Sequence, residues 1–271
     1  MKANENKYDM KVTILGTGTS TGVPQLGCNC PTCSSTDPHD KRLRCSSVIE
    51  VHDPLSPDGM TRILIDCGPD FRQQMINFGF RRIDAIFLTH EHYDHVGGLD
   101  DLRPFSAFGD MTVYADDYCA EHLKQRIPYC FTPKERRYPG VPRIDLEVVE
   151  PGVPVAVNGV EVLPLKVMHG QLPIMAYRIG QLAYVTDMKS IDNDQRQLLE
   201  GVTHMIVNGL RHEPHPTHQT IEEALDFADS LNVDTAYLIH MSHHIKPHAL
   251  EAPALPKNRI LAYDGLSFCV D

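Results

Sequence analysis

Short apolar runs alternate with glycine- and proline-rich loops along the chain. The run at 83–88 is almost continuously apolar, which is typical of a strand buried on both faces. The spacing at 220–231 predicts an amphipathic helix, and that at 71–78 a shorter one. Further strands are predicted at 10–15, 46–51, 62–65, 160–167, 175–179, 182–185, 204–207 and 235–239, with one or two more at 260–271.

Several of these predicted strands end at a residue type that binds metals. His90, His169, Asp187 and His240 each follow an apolar strand directly or within one or two residues. The carboxyl end of a buried strand is where α/β folds present functional groups. The pattern therefore predicts one site assembled from distant parts of the chain.

The run from His90 to His95 holds four ligand-type residues within six positions: His90, His92, Asp94 and His95. Imidazole and carboxylate groups suit zinc, manganese or iron. Two histidines at i and i+2 can converge on one ion, and Asp94 and His95 can face a second ion about 3.5 to 4 Å away. The intervening Glu91 and Tyr93 are interpreted as non-ligands.

Length and charge narrow the class of protein. We expect a flexible tail at 1–9 and a single domain at 10–271. The formal net charge of -11 argues against an extended surface for nucleic acid. The chain has no apolar run of membrane-spanning length and no secretory leader pattern, so we expect a cytoplasmic protein without a membrane partner. A homodimer is left open.

Three of the eight cysteines form the motif C-x-C-x-x-C at Cys28, Cys30 and Cys33. Disulfides are rare in the cytoplasm, and a structural zinc needs four closed ligands. His243, three residues beyond His240, is a suitable fourth ligand. The alternatives are a thiolate with a redox role and a loop that packs or reacts through its thiols.

These motifs resemble the metallo-β-lactamase superfamily: H-x-H-x-D-H followed by a separate histidine, aspartate and histidine. The resemblance implies a four-layer αββα sandwich with two divalent metals, zinc or manganese, at one edge. It implies that His90, His92 and His169 bind the first metal, and Asp94, His95 and His240 the second, with Asp187 bridging. Two dications lower the pKa of a shared water, which Asp94 can orient for attack.

Within the superfamily, the cysteine motif with H-x-x-H at the last ligand resembles the PhnP type, the phosphoribosyl 1,2-cyclic phosphate phosphodiesterases. The segments 18–24 and 42–47 are also similar to that group. The resemblance makes the cysteine zinc structural. It also makes His218, which precedes the predicted helix in H-x-x-x-x-x-A, a candidate phosphate ligand or general acid.

The sequence therefore predicts a phosphodiesterase for a small cyclic phosphate, such as a phosphoribosyl 1,2-cyclic phosphate or a 2′,3′-cyclic nucleotide. The alternatives are a tRNA 3′-processing phosphodiesterase, a carbonyl-directed hydrolase (lactonase or thioesterase) and a non-catalytic scaffold. His212 and His215 are further candidate substrate contacts. Arg42 and Arg44 are interpreted either as anion contacts or as ordinary surface charges.

Overall fold

The computed structural model describes residues 8–136 and 138–270. Residues 1–7 of the predicted tail at 1–9 lie outside the described residues. Asp9 directly precedes the first strand. Within the described ranges, none of the helices has the length and apolar character needed to cross a membrane.

Two seven-stranded mixed sheets form the centre of the fold, with strand orders β14-β1-β2-β3-β4-β5-β6 and β13-β12-β11-β10-β9-β8-β7. The first contains β1 (Met10–Gly16), β2 (Ser46–His52), β3 (Met60–Ile65), β4 (Ala85–Phe87), β5 (Met111–Ala115), β6 (Ile144–Val148) and β14 (Ser267–Val270). The second contains β7 (Val155–Val157), β8 (Val160–His169), β9 (Leu172–Ile179), β10 (Leu182–Val185), β11 (His204–Asn208), β12 (Thr235–Ile239) and β13 (Arg259–Leu261).

Helices cover the outer faces of both sheets. They are α1 (Phe71–Phe78), α2 (Tyr93–Val96), α3 (Asp117–Arg126), α4 (Asn193–Gln197), α5 (Ile221–Ser230) and α6 (His248–Glu251). Short 3-10 segments lie at Pro38–Asp40, Leu99–Phe108, Pro128–Phe131, Lys134–Arg136 and Ala252–Ala254. The segment Leu99–Phe108 contains Pro104, which cannot donate the backbone bond that an α-helix needs.

The alternation along each strand explains the layering. In β1, Met10, Val12 and Ile14 enter the apolar layer between the two sheets, whereas Leu15 enters the layer beneath α1. A third apolar layer lies between the second sheet and α5. The four-layer αββα prediction is therefore confirmed, because each sheet buries both faces.

The parallel strands of the two sheets bring the predicted site residues together. β3, β4, β5 and β6 run parallel in one sheet, and β10, β11, β12 and β13 run parallel in the other. Asp66, Asp187 and His240 each follow a strand end with a positive φ, of 62°, 56° and 57°. Because residues other than glycine rarely adopt this conformation, such turns are typical of functional sites.

Candidate metal centre

The histidine run becomes a turn followed by one turn of helix. His90 lies just beyond β4, and His92 is the N-terminal capping residue of α2. Asp94 and His95 fall in α2 and are buried, and the rings of His90 and His95 have centroids 4.3 Å apart. The short helix therefore turns two further ligand-type side chains inward behind His90.

Three overlapping groups of potential ligand atoms form around these residues. In each group the ligand atoms lie within 4.8 Å of one another. The first group is His90, His95 and Asp187, the second is Asp94, His95 and His240, and the third is His169, Asp187 and His218. Asp187 belongs to two of them, with Oδ1 3.0 Å from His240 Nε2 and Oδ2 3.3 Å from His95 Nε2. Its carboxylate thus lies between His95 and His240, and its bridging role stays a prediction.

The buried nitrogens at the centre fit a bound cation. Among the described residues, Nε2 of His90, His95 and His240 is buried without a hydrogen-bond partner, although carboxylate oxygens lie close by. Leaving a buried polar atom unpaired costs about 1–3 kcal/mol. Burial also lowers the pKa of His90 well below its ordinary value, so its ring stays neutral and keeps a lone pair for a metal.

Other protein groups contact Nδ1, the ring nitrogen opposite Nε2, in His90, His95 and His169. Nδ1 of His90 lies 3.0 Å from Thr89 Oγ1, and Nδ1 of His95 lies 2.7 Å from Asp66 Oδ2. Nδ1 of His169 lies 2.9 Å from the carbonyl oxygen of Asp187. Such bonds determine which ring nitrogen faces the metal and orient the ring.

Asp66 is a residue of the centre that the sequence pattern did not single out. It is fully buried, and its carboxylate accepts hydrogen bonds from the backbone and hydroxyl of Thr89 as well as contacting His95. The signal was available, because Asp66 directly follows a predicted strand in the same way as the other site residues.

His92 lies at the edge of the centre. Its side chain is 43% exposed and does not join the three close groups, although its ring contacts those of His90 and His169 with centroids 4.4 and 5.4 Å away. Its place on the first metal stays a prediction, as do the ligand roles of the other residues.

His218 is brought against the same cluster by the loop before α5. Its ring lies 4.6 Å from that of His169 and 4.8 Å from that of His240, measured between centroids. Burial lowers its pKa to about 3, so the ring is neutral. A capping box at Thr220 and Glu223 begins α5 immediately afterwards and determines where this loop ends.

The four predicted structural-zinc ligands also meet. The ligand atoms of Cys28, Cys30, Cys33 and His243 lie within 4.8 Å of one another, with Nδ1 of His243 3.2 Å from Cys28 Sγ. Burial raises the pKa of Cys30, but hydrogen bonds from the Cys33 backbone and from His243 outweigh it and lower the pKa to about 6. Four converging donors, one of them a ready thiolate, match a closed zinc site.

The comparisons with known proteins agree with this geometry. The sequence model of the beta-lactamase superfamily domain matches residues 61–241. The structure of a protein described as a new diphosphatase from the PhnP family is 37% identical, with a TM-score of 0.85 over 97% of this chain and 98% of that one. The chain belongs to the PhnP family of the β-lactamase superfamily. It therefore has the metallo-β-lactamase fold, which implies divalent metal binding.

Two other relatives add context. Zinc-bound PqqB from Methylobacterium extorquens shares the fold, with a TM-score of 0.75 at 20% identity over 95% of this chain and 99% of that one. A protein named octanoyltransferase from Porphyromonas gingivalis is 44% identical over 263 residues, which are 97% of this chain. The matched part is 52% of that protein, so the chain spans about half the length of this curated relative.

The side chains of the candidate substrate contacts take different directions. His212 turns away from the cluster and bonds to Glu222 and Glu251, at 2.5 and 2.8 Å, whereas His215 lies beside His218. Burial lowers the pKa of His215, and the charge of Arg211 adds to the effect. Arg42 is 2% exposed and donates to the Ala262 carbonyl, so it is neither a surface charge nor available to a substrate.

Arg44 remains partly exposed. Its guanidinium pairs with Asp70 at 3.0 Å, and its Nε donates to the carbonyl of Ser20 in the glycine-rich turn after β1. Both bonds hold the side chain against neighbouring loops, so its structural role is the one that the contacts support.

Replacing Asp66 tests its role behind His95. We expect Asp66→Asn to weaken metal binding about 10- to 100-fold, because an amide orients the imidazole less firmly and makes its other nitrogen a poorer ligand. Metal content after dialysis against graded chelator measures the effect. Asp101→Asn, at an exposed position after α2, is the control, and equal metal retention in both variants would contradict the assignment.

The His212 contacts predict a pH-dependent stability. Burial lowers the pKa of His212, but hydrogen bonds to Glu222 and Glu251 outweigh it and raise the pKa above the usual value. The contribution of His212 to the free energy of unfolding should be fully present below about pH 6.5, the pKa of histidine in the unfolded chain. It should be lost as the pH rises through the raised pKa of the folded protein. The side chain is 39% exposed, so we expect a contribution of about 1 kcal/mol.

The measurement is thermal unfolding of His212→Gln and the wild type between pH 5 and 9, with Glu222→Gln as control. Glu222 is 59% exposed and Glu251 is 3% exposed, so losing the Glu222 partner should matter less. A constant difference between wild type and His212→Gln across this range would refute the charged pairing.

Proposed function

We propose that this protein is a phosphodiesterase for a small cyclic phosphate, of the phosphoribosyl 1,2-cyclic phosphate or 2′,3′-cyclic nucleotide class. The observation that carries the proposal is the position of His218, a buried neutral imidazole against the rings of His169 and His240. A phosphate bound at the cluster would present oxygens to this side of the site. His218 as a hydrogen-bond donor, together with cations at the candidate metal centre, would suit a tetrahedral anionic substrate.

The proposed metal arrangement uses two divalent ions. The first ion would be held by His90, His92 and His169. The second would be held by Asp94, His95 and His240, and Asp187 would contact both ions. When bound, the ions supply an activated water near neutral pH and neutralise charge on the phosphoryl group. Zinc or manganese suits these ligands.

The protein's own side chains then divide the remaining work. Asp94, with a side chain 10% exposed, accepts a hydrogen bond from the attacking water and orients it. The neutral ring of His218 donates an N–H hydrogen bond to a phosphoryl oxygen or to the departing oxygen. Asp66 and Thr89 hold the ring of His95, so that the ligand set stays in place while the phosphate changes its geometry.

Diphosphate hydrolysis is the second candidate activity. The observation in its favour is that the 37% identical PhnP-family structure is described as a diphosphatase. Attack at phosphorus is common to both reactions, and they differ in the departing group, an alkoxide or a phosphate. The acidic chain, with a net charge of -11, favours a small substrate over nucleic acid in either case. We propose no membrane partner and leave homodimerisation to measurement.

An acyl substrate is the alternative that the assay must include, because the 44% identical relative is named an octanoyltransferase. The match covers only about half of that protein. A carbonyl has a single oxygen to offer, which the metals would engage, and His218 would then lack a partner.

The decisive experiment compares substrate classes on the metal-loaded protein. We expect hydrolysis of 2′,3′-cyclic nucleotides or bis(p-nitrophenyl)phosphate, and a fall in kcat of about 10²- to 10³-fold in His218→Ala. His122→Ala on α3, whose Nδ1 bonds to the Tyr118 carbonyl oxygen, is the control. Faster turnover of diphosphates would select the second candidate. Turnover of octanoyl thioesters that survives His218→Ala, without phosphate turnover, would refute the proposal.

We also propose that Cys28, Cys30, Cys33 and His243 hold one structural zinc. The cysteine loop is tied to the segment after His240, because Thr32 Oγ1 donates to the Ile245 carbonyl at 2.6 Å. Cys30→Ser should remove one zinc per chain and lower the unfolding temperature, whereas Cys269→Ser, at an exposed position, should do neither. Unchanged zinc content in Cys30→Ser would show that these thiols do not bind the ion.

A further inference from the structure

His215 lies at the mouth of the metal centre without belonging to it. It is half-buried, its ring centroid is 5.0 Å from that of His218, and it joins none of the close ligand groups found among the described residues. His218 in turn contacts the rings of His169 and His240. His215 is thus one ring further out than His218 on the same side of the cluster.

Thr217 determines which nitrogen of His215 is free. The backbone nitrogen of Thr217 lies 3.3 Å from His215 Nδ1, and the Thr217 hydroxyl lies 3.2 Å from it. A backbone N–H can only donate, so Nδ1 is the acceptor and the neutral ring carries its hydrogen on Nε2. His215 therefore presents an Nε2–H donor away from Thr217.

The loop that carries His215 is attached to the metal centre. The carbonyl oxygen of Thr217 lies 3.0 Å from Nδ1 of His169. A Cβ on Gly170 would lie 2.8 Å from Thr217 Cγ2, so the glycine, with φ 63°, permits this close packing. Gln219 N also donates to the Met188 carbonyl. The Nε2–H of His215 is therefore held relative to the ligands rather than carried by a free loop.

Positive side chains lie on the same loop and next to it. Arg211 donates to the carbonyl oxygens of Glu213 and Pro214, directly before His215. Lys189, two residues after Asp187, pairs with Glu223 at 2.8 Å. Arg211 Nε also lies 3.9 Å from Glu213 Oε2, so an anionic group entering here meets hydrogen-bond donors beside two ion pairs.

We propose that His215 is a substrate-binding residue whose Nε2–H donates a hydrogen bond to a phosphate oxygen of the substrate. This deepens the proposed function and rests on it. A phosphodiester has two non-ester oxygens, each with several lone pairs, so it can accept from both His218 and His215 while it engages the metals, whereas a planar acyl carbonyl has a single oxygen. The two histidines together thus select phosphate substrates over acyl substrates, because unpaired donors penalise the wrong substrate.

The test uses the metal-loaded protein and inorganic phosphate as the probe. His215→Leu removes the donor, and His215→Gln restores an N–H near the position of Nε2. We expect the Kd for phosphate to rise about 10- to 100-fold in the leucine variant and to stay within about threefold of the wild type in the glutamine variant. Calorimetry gives the Kd, and metal content and unfolding temperature are measured on the same samples.

The outcomes separate this inference from the proposed function. Phosphate binding that is equal in the wild type and His215→Leu would overturn the role of His215 and leave the proposed function standing. Loss of metal in His215→Leu and His215→Gln alike would also overturn it, since the residue would then support the centre rather than the substrate. A wild type that neither binds phosphate nor hydrolyses any phosphate substrate would refute the proposed function itself.

Discussion

The burial of histidine nitrogens and carboxylates at one point of the fold is the constraint on which this structure depends. Asp187 is 2% exposed and lies 3.0 Å from His240 Nε2, yet that nitrogen has no hydrogen bond among the described residues. Buried polar atoms are expensive unless they are paired. Divalent ions would pair all of them at once, so metal binding and the stability of this region are coupled.

The surrounding structure supports that arrangement from both sheets. The left-handed conformations at Asp66, Asp187 and His240 turn the chain directly after β3, β10 and β12. Such conformations cost about 1–3 kcal/mol each and persist where neighbouring structure holds them. The apolar layer between the sheets supplies this support, since it packs the strands that carry these turns.

The loop at 209–219 extends the centre toward a substrate. Its two ends are joined by the bond from Leu210 N to the Gln219 carbonyl, and its histidines divide their roles. His212 faces outward to Glu222 and Glu251, whereas the ring of His215 lies against that of His218. The preference for phosphate over other substrates that we propose depends on this loop.

The sequence by itself determined the run of ligand-type residues from His90 to His95 and the cysteine motif, because local spacing carries that information. The αββα class followed from the resemblance of these motifs to the metallo-β-lactamase superfamily. Only the tertiary structure decided that Asp66 holds His95, that Arg42 is buried, and that His212 and His215 diverge. These facts depend on contacts between residues far apart in the chain. Hydrophobic periodicity describes which face of an element is buried, and it does not say which polar group meets which across two sheets.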